Sequence, residues 1–166
     1  MSEISIKGRA RILGDDINTD YIISSRRKRD SLDPQVLRAY LLETLDPEFA
    51  ASVAPGDLLV AGKNFGCGSA MEVAATVVLG AGIHAVLAKS FSRAYFRNAV
   101  NNGFPVVECS GITGHVSNGD ELEILLREGI IHNLTTGEKF DFIPLPRFAF
   151  DIAEAGGLLE SIRETV

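Results

Sequence analysis

The residues of this chain best suited to chemistry stand in the order Gly66-Cys67-Gly68-Ser69, between an apolar run and a segment rich in Ala and Val. The two glycines permit positive φ angles and a close approach of the backbone to a ligand. Ser69 followed three residues later by Glu72 matches a capping box, which predicts a helix capped by Ser69. A glycine turn before a helix N-terminus directs free N–H groups and the positive end of the helix dipole at one point. The stretch therefore predicts a site for a carboxylate or phosphate, where the alkoxide form of a hydroxyl would also be favoured.

A purely structural role is the alternative for the same stretch, with Ser69 as a cap and the glycines as a turn. From spacing alone this is the commoner case, because short glycine motifs have many chance matches. The stretch lacks the Gly-Lys-Ser/Thr of a Walker loop and the third glycine of a dinucleotide fingerprint.

The amino-acid composition restricts the classes of protein to which this chain can belong. The 166 residues fit one domain, and an apolar fraction of 46% with a charged fraction of 23% is ordinary for a soluble globular protein. A net charge of −6 argues against general nucleic-acid binding. No apolar run is long enough to cross a membrane, and the first residues lack the core of a signal peptide, so we expect a cytoplasmic protein.

The sequence contains few cysteine and histidine residues that could bind a metal. Cys67 and Cys109 are too few for a disulfide framework, which suggests a reducing compartment, and too few for an iron–sulfur cluster of the chain's own. His84, His115 and His132 are scattered without ligand spacing, so we assign no metal to them.

Hydrophobic periodicity predicts a single mixed α/β domain over residues 1–166. Apolar strands alternate with helical segments through the middle of the chain, which predicts parallel pairing through right-handed crossovers. Beyond Gly111 the short segments 122–126, 130–132 and 139–142 predict antiparallel strands.

Local signals set several helix limits. Asp33 before Pro34 predicts a helix start, with apolar residues at helical spacing as far as Leu45. Residues 24–31 are basic and without periodicity, which predicts a loop. Ser90 or Ser92 begins a helix that Gly103 ends, and two short helices, 148–155 and 158–163, close the chain.

Motifs spread along nearly the whole chain resemble a known family. They are Gly14-Asp15-Asp16-Ile17-Asn18-Thr19-Asp20, Asn64-Phe65-Gly66-Cys67-Gly68-Ser69, Ala88-Lys89-Ser90-Phe91-Ser92-Arg93 and Phe96-Arg97-Asn98. In this order and spacing, they resemble the small subunits of 3-isopropylmalate dehydratases, which are similar to the swivelling C-terminal domain of aconitases. The resemblance implies a swivelling β/β/α domain with a mixed, partly closed sheet and packed helices.

The resemblance also implies a reaction and a partner. Family members are hydro-lyases that move a hydroxyl between neighbouring carbons of a hydroxy-dicarboxylic acid, here 3-isopropylmalate in leucine biosynthesis. A 4Fe-4S cluster with one open iron site acts as Lewis acid, and the resemblance places it on a separate large subunit, without which the small subunit is inactive. Homoaconitase and citramalate or dimethylmalate dehydratase are the alternatives within the class, and a non-catalytic regulatory or structural subunit is the alternative outside it.

Residue roles follow from the same resemblance. Ser69 matches the residue that takes the proton from the carbon beside the carboxylate, and Asp20 matches a carboxylate that orients groups at the site. The structural alternative for Asp20 is a turn residue. The resemblance further implies a set of substrate contacts: Thr19, Gly66, Gly68 and Ala70. Lys89 and Arg93 are candidate anion contacts, or else they pair with acidic residues.

Met71 departs from the family pattern Gly-Cys-Gly-Ser-Ser-Arg-Glu, whose arginine binds a substrate carboxylate. Methionine cannot make that contact, so another residue binds the carboxylate, or the substrate is altered, or the chain is not a normal catalyst. The loop at residues 24–31 falls where the family keeps its substrate-selecting segment, so we expect Arg26 or Arg27 to bind the carboxylate instead. For most cations of that loop, a solvated surface is the alternative.

Overall fold

Seven strands form one mixed sheet in the computed structural model, which describes residues 5–155. They are β1 (Ser5–Ile12), β2 (Leu58–Ala61), β3 (Ala85–Ala88), β4 (Val106–Glu108), β5 (Glu121–Leu125), β6 (Ile130–Asn133) and β7 (Lys139–Asp141). The order across the sheet is β4-β3-β2-β1-β5-β6-β7. Pairing is parallel from β4 to β1 and antiparallel from β1 to β7, which confirms the mixed α/β fold.

Eight helical segments connect or cover these strands in residues 5–155. They are α1 (Thr19–Ile22), α2 (Ser25–Lys28), α3 (Pro34–Leu37), α4 (Phe49–Ser52), α5 (Val73–Gly80), α6 (Arg93–Asn101), α7 (Ile112–His115) and α8 (Arg147–Ala155). No helix in this part of the chain is long and apolar enough to cross a membrane. The predicted helix 158–163 lies outside the described residues.

The start of α3 was predicted correctly, but its length was not. The Asp33 side chain accepts a hydrogen bond from the Gln35 N–H at 2.9 Å, and Pro34 occupies the first turn. The α-helix then gives way to a 3₁₀ turn, Arg38–Tyr40, instead of continuing to Leu45. Leu42 explains the break, because it adopts a φ of +56° and donates its N–H to the Ile22 carbonyl at 3.0 Å. Packing against a neighbouring segment overrides the helical spacing there.

Two other local predictions had different outcomes. Ser92 caps α6, since its hydroxyl accepts a hydrogen bond from the Tyr95 N–H, and Gly103 follows that helix with a φ of +72°. Part of the predicted loop 24–31 is instead the single helical turn α2. Ser24 caps this turn by accepting a hydrogen bond from the Arg26 N–H at 3.3 Å.

The central strands are buried on both faces. Every residue of β2 and β3 is buried, and alternate residues belong to two separate apolar cores. Leu59 and Val86 face the core that includes α5 and α6, whereas Leu58 and Leu87 face the core shared with β5 and β6. The carboxyl ends of β1, β2 and β3 are therefore held at one edge by packing on both sides, and ligands of open α/β sheets bind at such an edge.

Asp57 is a buried carboxylate at the start of the parallel half. It accepts hydrogen bonds from Arg9 Nη2 at 2.9 Å, from Arg11 Nη1 at 3.4 Å and from the Ala54 N–H at 3.0 Å. Burial alone would raise the pKa of Asp57, but the bonds from Arg9 and Ala54 outweigh it and leave that pKa below its usual value. Both arginines lie on β1, so Asp57 ties that strand to the turn before β2.

We predict that Asp57→Asn lowers the free energy of unfolding by about 2 kcal/mol, the usual size of lost hydrogen bonds to a charged group. A lowered carboxyl pKa stabilises the fold above the unfolded pKa of about 3.9, and this stabilisation is lost as pH falls through the folded pKa. Denaturant unfolding between about pH 6 and pH 2 should therefore show a weaker acid dependence in the variant. Asp151→Asn, at an exposed position of α8, is the control. Equal acid dependence in wild type and Asp57→Asn would contradict the prediction.

Candidate functional site

The loops that follow β1 and β2 pair with each other beyond the ends of those strands. Gly66 donates its N–H to the Ile17 carbonyl, and Thr19 donates its N–H to the Cys67 carbonyl, both at 2.8 Å. Asn18 and Cys67 form an isolated parallel bridge. The sheet pairing thus continues into the loops and brings the two predicted site motifs side by side.

The glycine turn depends on the absence of side chains at two positions. Gly66 has a φ of +82°, and a Cβ there would lie 2.3 Å from Cβ of Tyr95. Gly68 has a φ of +90°, and a Cβ there would lie 2.6 Å from the Asn18 side-chain amide. Both glycines lie against side chains of the chain itself, and the close approach of this turn to a ligand stays a prediction.

Ser69 does not cap a helix, so the capping-box prediction was wrong. Helix α5 begins at Val73, and the residue before it, Glu72, makes no side-chain capping bond. Ser69 is instead fixed through its carbonyl, which accepts a hydrogen bond from Thr19 Oγ1 at 2.9 Å. Ser69 is exposed, and its hydroxyl makes no hydrogen bond to any residue within 5–155.

Ser69 opens on a cleft of about 850 Å³. The cleft is bounded by α2 on one side and by the start of α5 on the other. Its lining consists of Asp20, Ser25, Lys28, Arg29, Leu32, Pro34, Ser69, Met71, Glu72, Val73 and Thr76. The structure therefore brings Asp20 and Ser69, the two residues predicted to be catalytic, to one cavity of a size suited to a small molecule.

Asp20 stays ionised in this setting. Its Oδ1 accepts hydrogen bonds from the Ser25 hydroxyl and from the Ser25 N–H, the latter at 2.8 Å. These two bonds hold the pKa of Asp20 below its usual range. The carboxylate therefore accepts hydrogen bonds and orients α2, and it carries no proton to give at neutral pH.

The basic segment divides between two environments. Arg27 turns away from the cleft, where its Nε contacts Glu43 Oε1 at 2.9 Å and its guanidinium lies 3.9 Å from the centre of the Tyr40 ring. Arg26 is exposed and is absent from the cleft lining, whereas Lys28 and Arg29 are part of it. Lys28 is a site residue that sequence reasoning missed, since its contact with Met71 joins residues 43 positions apart.

Comparison with known proteins identifies the family. The model of the aconitase C-terminal domain matches residues 22–110. A relative named 3-isopropylmalate dehydratase small subunit 1, from Methanopyrus kandleri, is 48% identical over 95% of this chain and 92% of its own length. The chain belongs to the 3-isopropylmalate dehydratase small-subunit family.

Further relatives agree with this family. A protein of Methanocaldococcus jannaschii named isopropylmalate/citramalate isomerase small subunit is 45% identical over 96% of this chain and 94% of its own. A crystal structure of 3-isopropylmalate dehydratase from the same organism superimposes with a TM-score of 0.91 at 35% identity. That match covers 98% of this chain and 95% of the other. The swivelling β/β/α architecture expected from the motifs is thereby confirmed.

Other predicted contacts lie at different places along the same edge. Thr19 is buried beneath the glycine turn, and Ala70 is exposed beside Ser69. Lys89 lines a separate depression with Glu108, Cys109 and Asp141. Arg93 lines another, which also contains Arg97 and Glu108. Neither Lys89 nor Arg93 belongs to the lining of the cleft that contains Ser69.

The described part of this chain contains no set of ligands for the iron–sulfur cluster of the family. Within residues 5–155, no group of three or more His, Cys, Asp or Glu side chains is placed to hold a metal ion. Cys67 lies in the glycine turn and Cys109 is buried after β4, and both are free thiols. Burial raises the pKa of Cys109, which disfavours the thiolate that a metal requires.

We predict that Gly66→Ala destabilises the fold by about 2 kcal/mol or more, because overpacking adds to the strain of a positive φ. The Tyr95 ring would have to move, and it is fully buried among apolar groups. Thermal unfolding measures the effect. Gly14→Ala is the matched control, since Gly14 is exposed and a Cβ there would meet nothing within 4 Å. Equal unfolding temperatures for the two variants would show that the turn can relax.

Proposed function

We propose that this chain is the small subunit of a hydro-lyase that isomerises 3-isopropylmalate by dehydration and rehydration. The observation that carries the proposal is the unengaged hydroxyl of Ser69 at a cleft that also contains the ionised Asp20. The names of the relatives supply the substrate class, including citramalate for one of them. A catalytic role is favoured over a purely regulatory one, because the residues matching the catalytic positions converge on one cleft.

Ser69 is proposed to act as the general base of the elimination. In its alkoxide form, Oγ accepts the proton from the carbon beside a carboxylate. The electron pair of that C–H bond forms the double bond as the C–O bond to the leaving hydroxyl breaks. A serine alkoxide needs positive potential, and Arg29 and the N-terminal end of α5 are the sources of it at this cleft.

Asp20 and the glycine turn are proposed to position these groups. Asp20 holds α2 against the cleft through Ser25, and Thr19 holds the Ser69 backbone. Gly66 is buried and shapes the turn, and the exposed backbone of Gly68 and Ala70 beside Ser69 contacts the substrate. Arg27 is occupied by Glu43, so of the two arginines expected to bind substrate, Arg26 is the one without an ion pair among the described residues.

The 4Fe-4S cluster that the family implies is assigned by this proposal to a large subunit. The support is the chain's count of two cysteines, of which Cys109 is buried, and the small-subunit names of the relatives. The cluster would supply a Lewis acid to the leaving hydroxyl. The contribution of this chain is confined to the proton, the binding of the diacid and the exclusion of water.

We predict that the purified chain has no iron–sulfur absorbance and no dehydratase activity alone, and gains activity with a cluster-bearing large subunit. The test is an absorbance spectrum and a dehydration assay before and after reconstitution, with 3-isopropylmalate, citramalate and homocitrate as substrates. Iron–sulfur absorbance and turnover by this chain alone would overturn the assignment of the cluster.

We predict that Ser69→Ala lowers kcat of the reconstituted enzyme by roughly 10²–10⁴, the usual contribution of general acid–base catalysis. Because Ser69 caps no helix and its hydroxyl bonds to no described residue, thermal stability should stay within about 0.5 kcal/mol of wild type. Ser110→Ala, at an exposed serine outside the cleft, is the matched control. Near-normal kcat in Ser69→Ala would remove the proposed base.

A further inference from the structure

Lys28 has an unusual environment for a lysine of a basic surface segment. It is the last residue of α2, and its side chain is only 10% exposed. Its ammonium nitrogen lies 2.8 Å from Met71 Sδ and 3.9 Å from Asp20 Oδ1. Desolvation lowers the pKa of Lys28, although the nearby Asp20 opposes the shift. The Lys28 side chain is therefore largely covered, and it forms part of the wall of the cleft.

The hydrogen-bonding capacity of this ammonium is largely unused. It has three N–H donors, whereas a thioether sulfur is a weak acceptor. Asp20 Oδ1 already accepts two bonds from Ser25, and a separation of 3.9 Å from Lys28 Nζ exceeds hydrogen-bond range. Among the described residues, Lys28 makes no other hydrogen bond or ion pair. A cation that is largely covered and has only a weak acceptor within hydrogen-bond range is costly, which points to an anion in the cleft as its partner.

The cleft contains the features that specify which anion this is. Ser69 lies in the same lining, and a cleft of about 850 Å³ has room for one small molecule beside both Lys28 and Ser69. Leu32, Val73 and Pro34 form an apolar part of the wall, and Leu32 is 67% exposed. A diacid that carries an apolar branch would satisfy the cation and cover the apolar wall together.

We propose that Lys28 is a specificity-determining residue that binds a carboxylate of the branched diacid substrate in the cleft that also contains Ser69. In the family pattern, an arginine at the position of Met71 provides this cation. Here Lys28, whose ammonium group contacts Met71, provides it instead. This inference rests on the proposed function for the identity of the diacid.

The test is a relocation of the cation in the reconstituted enzyme, assayed with 3-isopropylmalate. Lys28→Met should raise KM by about 30- to 3,000-fold, the range for loss of a buried hydrogen-bonded charge pair, with kcat changed much less. The double variant Lys28→Met/Met71→Arg returns one cation to the same contact. Its KM should therefore fall most of the way back to the wild-type value. The control is Arg38→Met, which removes an exposed cation of the 3₁₀ turn outside the cleft and should leave KM unchanged.

Two outcomes of this test would overturn the proposal. An unchanged KM in Lys28→Met would show that Lys28 makes no contact with the carboxylate. If KM rises in Lys28→Met and stays high in the double variant, the weaker substrate binding would come from a disturbed Asp20 instead.

A binding measurement separates this inference from the proposed function. In the reconstituted wild type, malonate should slow the acetylation of Lys28 by an amine-reactive reagent, with the exposed Lys63 and Lys139 as internal references. If wild type fails to turn over 3-isopropylmalate, the proposed function fails, and this experiment alone decides the role of Lys28. Slower acetylation would support a carboxylate site, and an unchanged rate would overturn it.

Discussion

The contact between the loops after β1 and β2 is the constraint on which the site depends. Two backbone hydrogen bonds of 2.8 Å join these loops, and they require Gly66 and Gly68 to lie against Tyr95 and Asn18 without side chains. Tyr95 is anchored in turn by α6, whose cap Ser92 donates its hydroxyl to the Gly66 carbonyl at 2.8 Å. The segments that follow the parallel strands β1, β2 and β3 thus meet at the glycine turn. Ser69 comes immediately after this turn. The backbone of Ser69 is held through its carbonyl, and its hydroxyl makes no hydrogen bond to any residue within 5–155.

Much of the fold and part of the site could be predicted from local sequence signals. The caps at Asp33 and Ser92 were predictable, since a side chain bonding to an N–H two or three residues later depends on no distant partner. The parallel core was equally accessible, because β2 and β3 are continuous apolar runs. The glycine turn was located correctly because its positive φ angles are a property of the residues themselves.

The incorrect predictions have a common physical cause. In each case the structure depends on contacts between segments that are distant in the sequence. Ser69 satisfied the spacing of a capping box, but the turn ahead of it is bonded to the β1 loop, and α5 begins only at Val73. Arg27 and Lys28 are neighbours in a basic run, yet one contacts Glu43 and the other contacts Met71. Residues one apart on a helix point in different directions. No sequence pattern fixes which of them faces the cleft.

The composition of α2 has an evolutionary consequence. Its four residues are Ser, Arg, Arg and Lys, and none belongs to either apolar core. Substitutions there leave both apolar cores intact, whereas those around the glycine turn meet fully buried neighbours. The cleft therefore has one wall that selection can alter without disturbing the cores and another that it must leave intact. Under the proposed function, a lineage could exchange one diacid for another by changes in α2 and at position 71 while Ser69 and the glycine turn stay as they are.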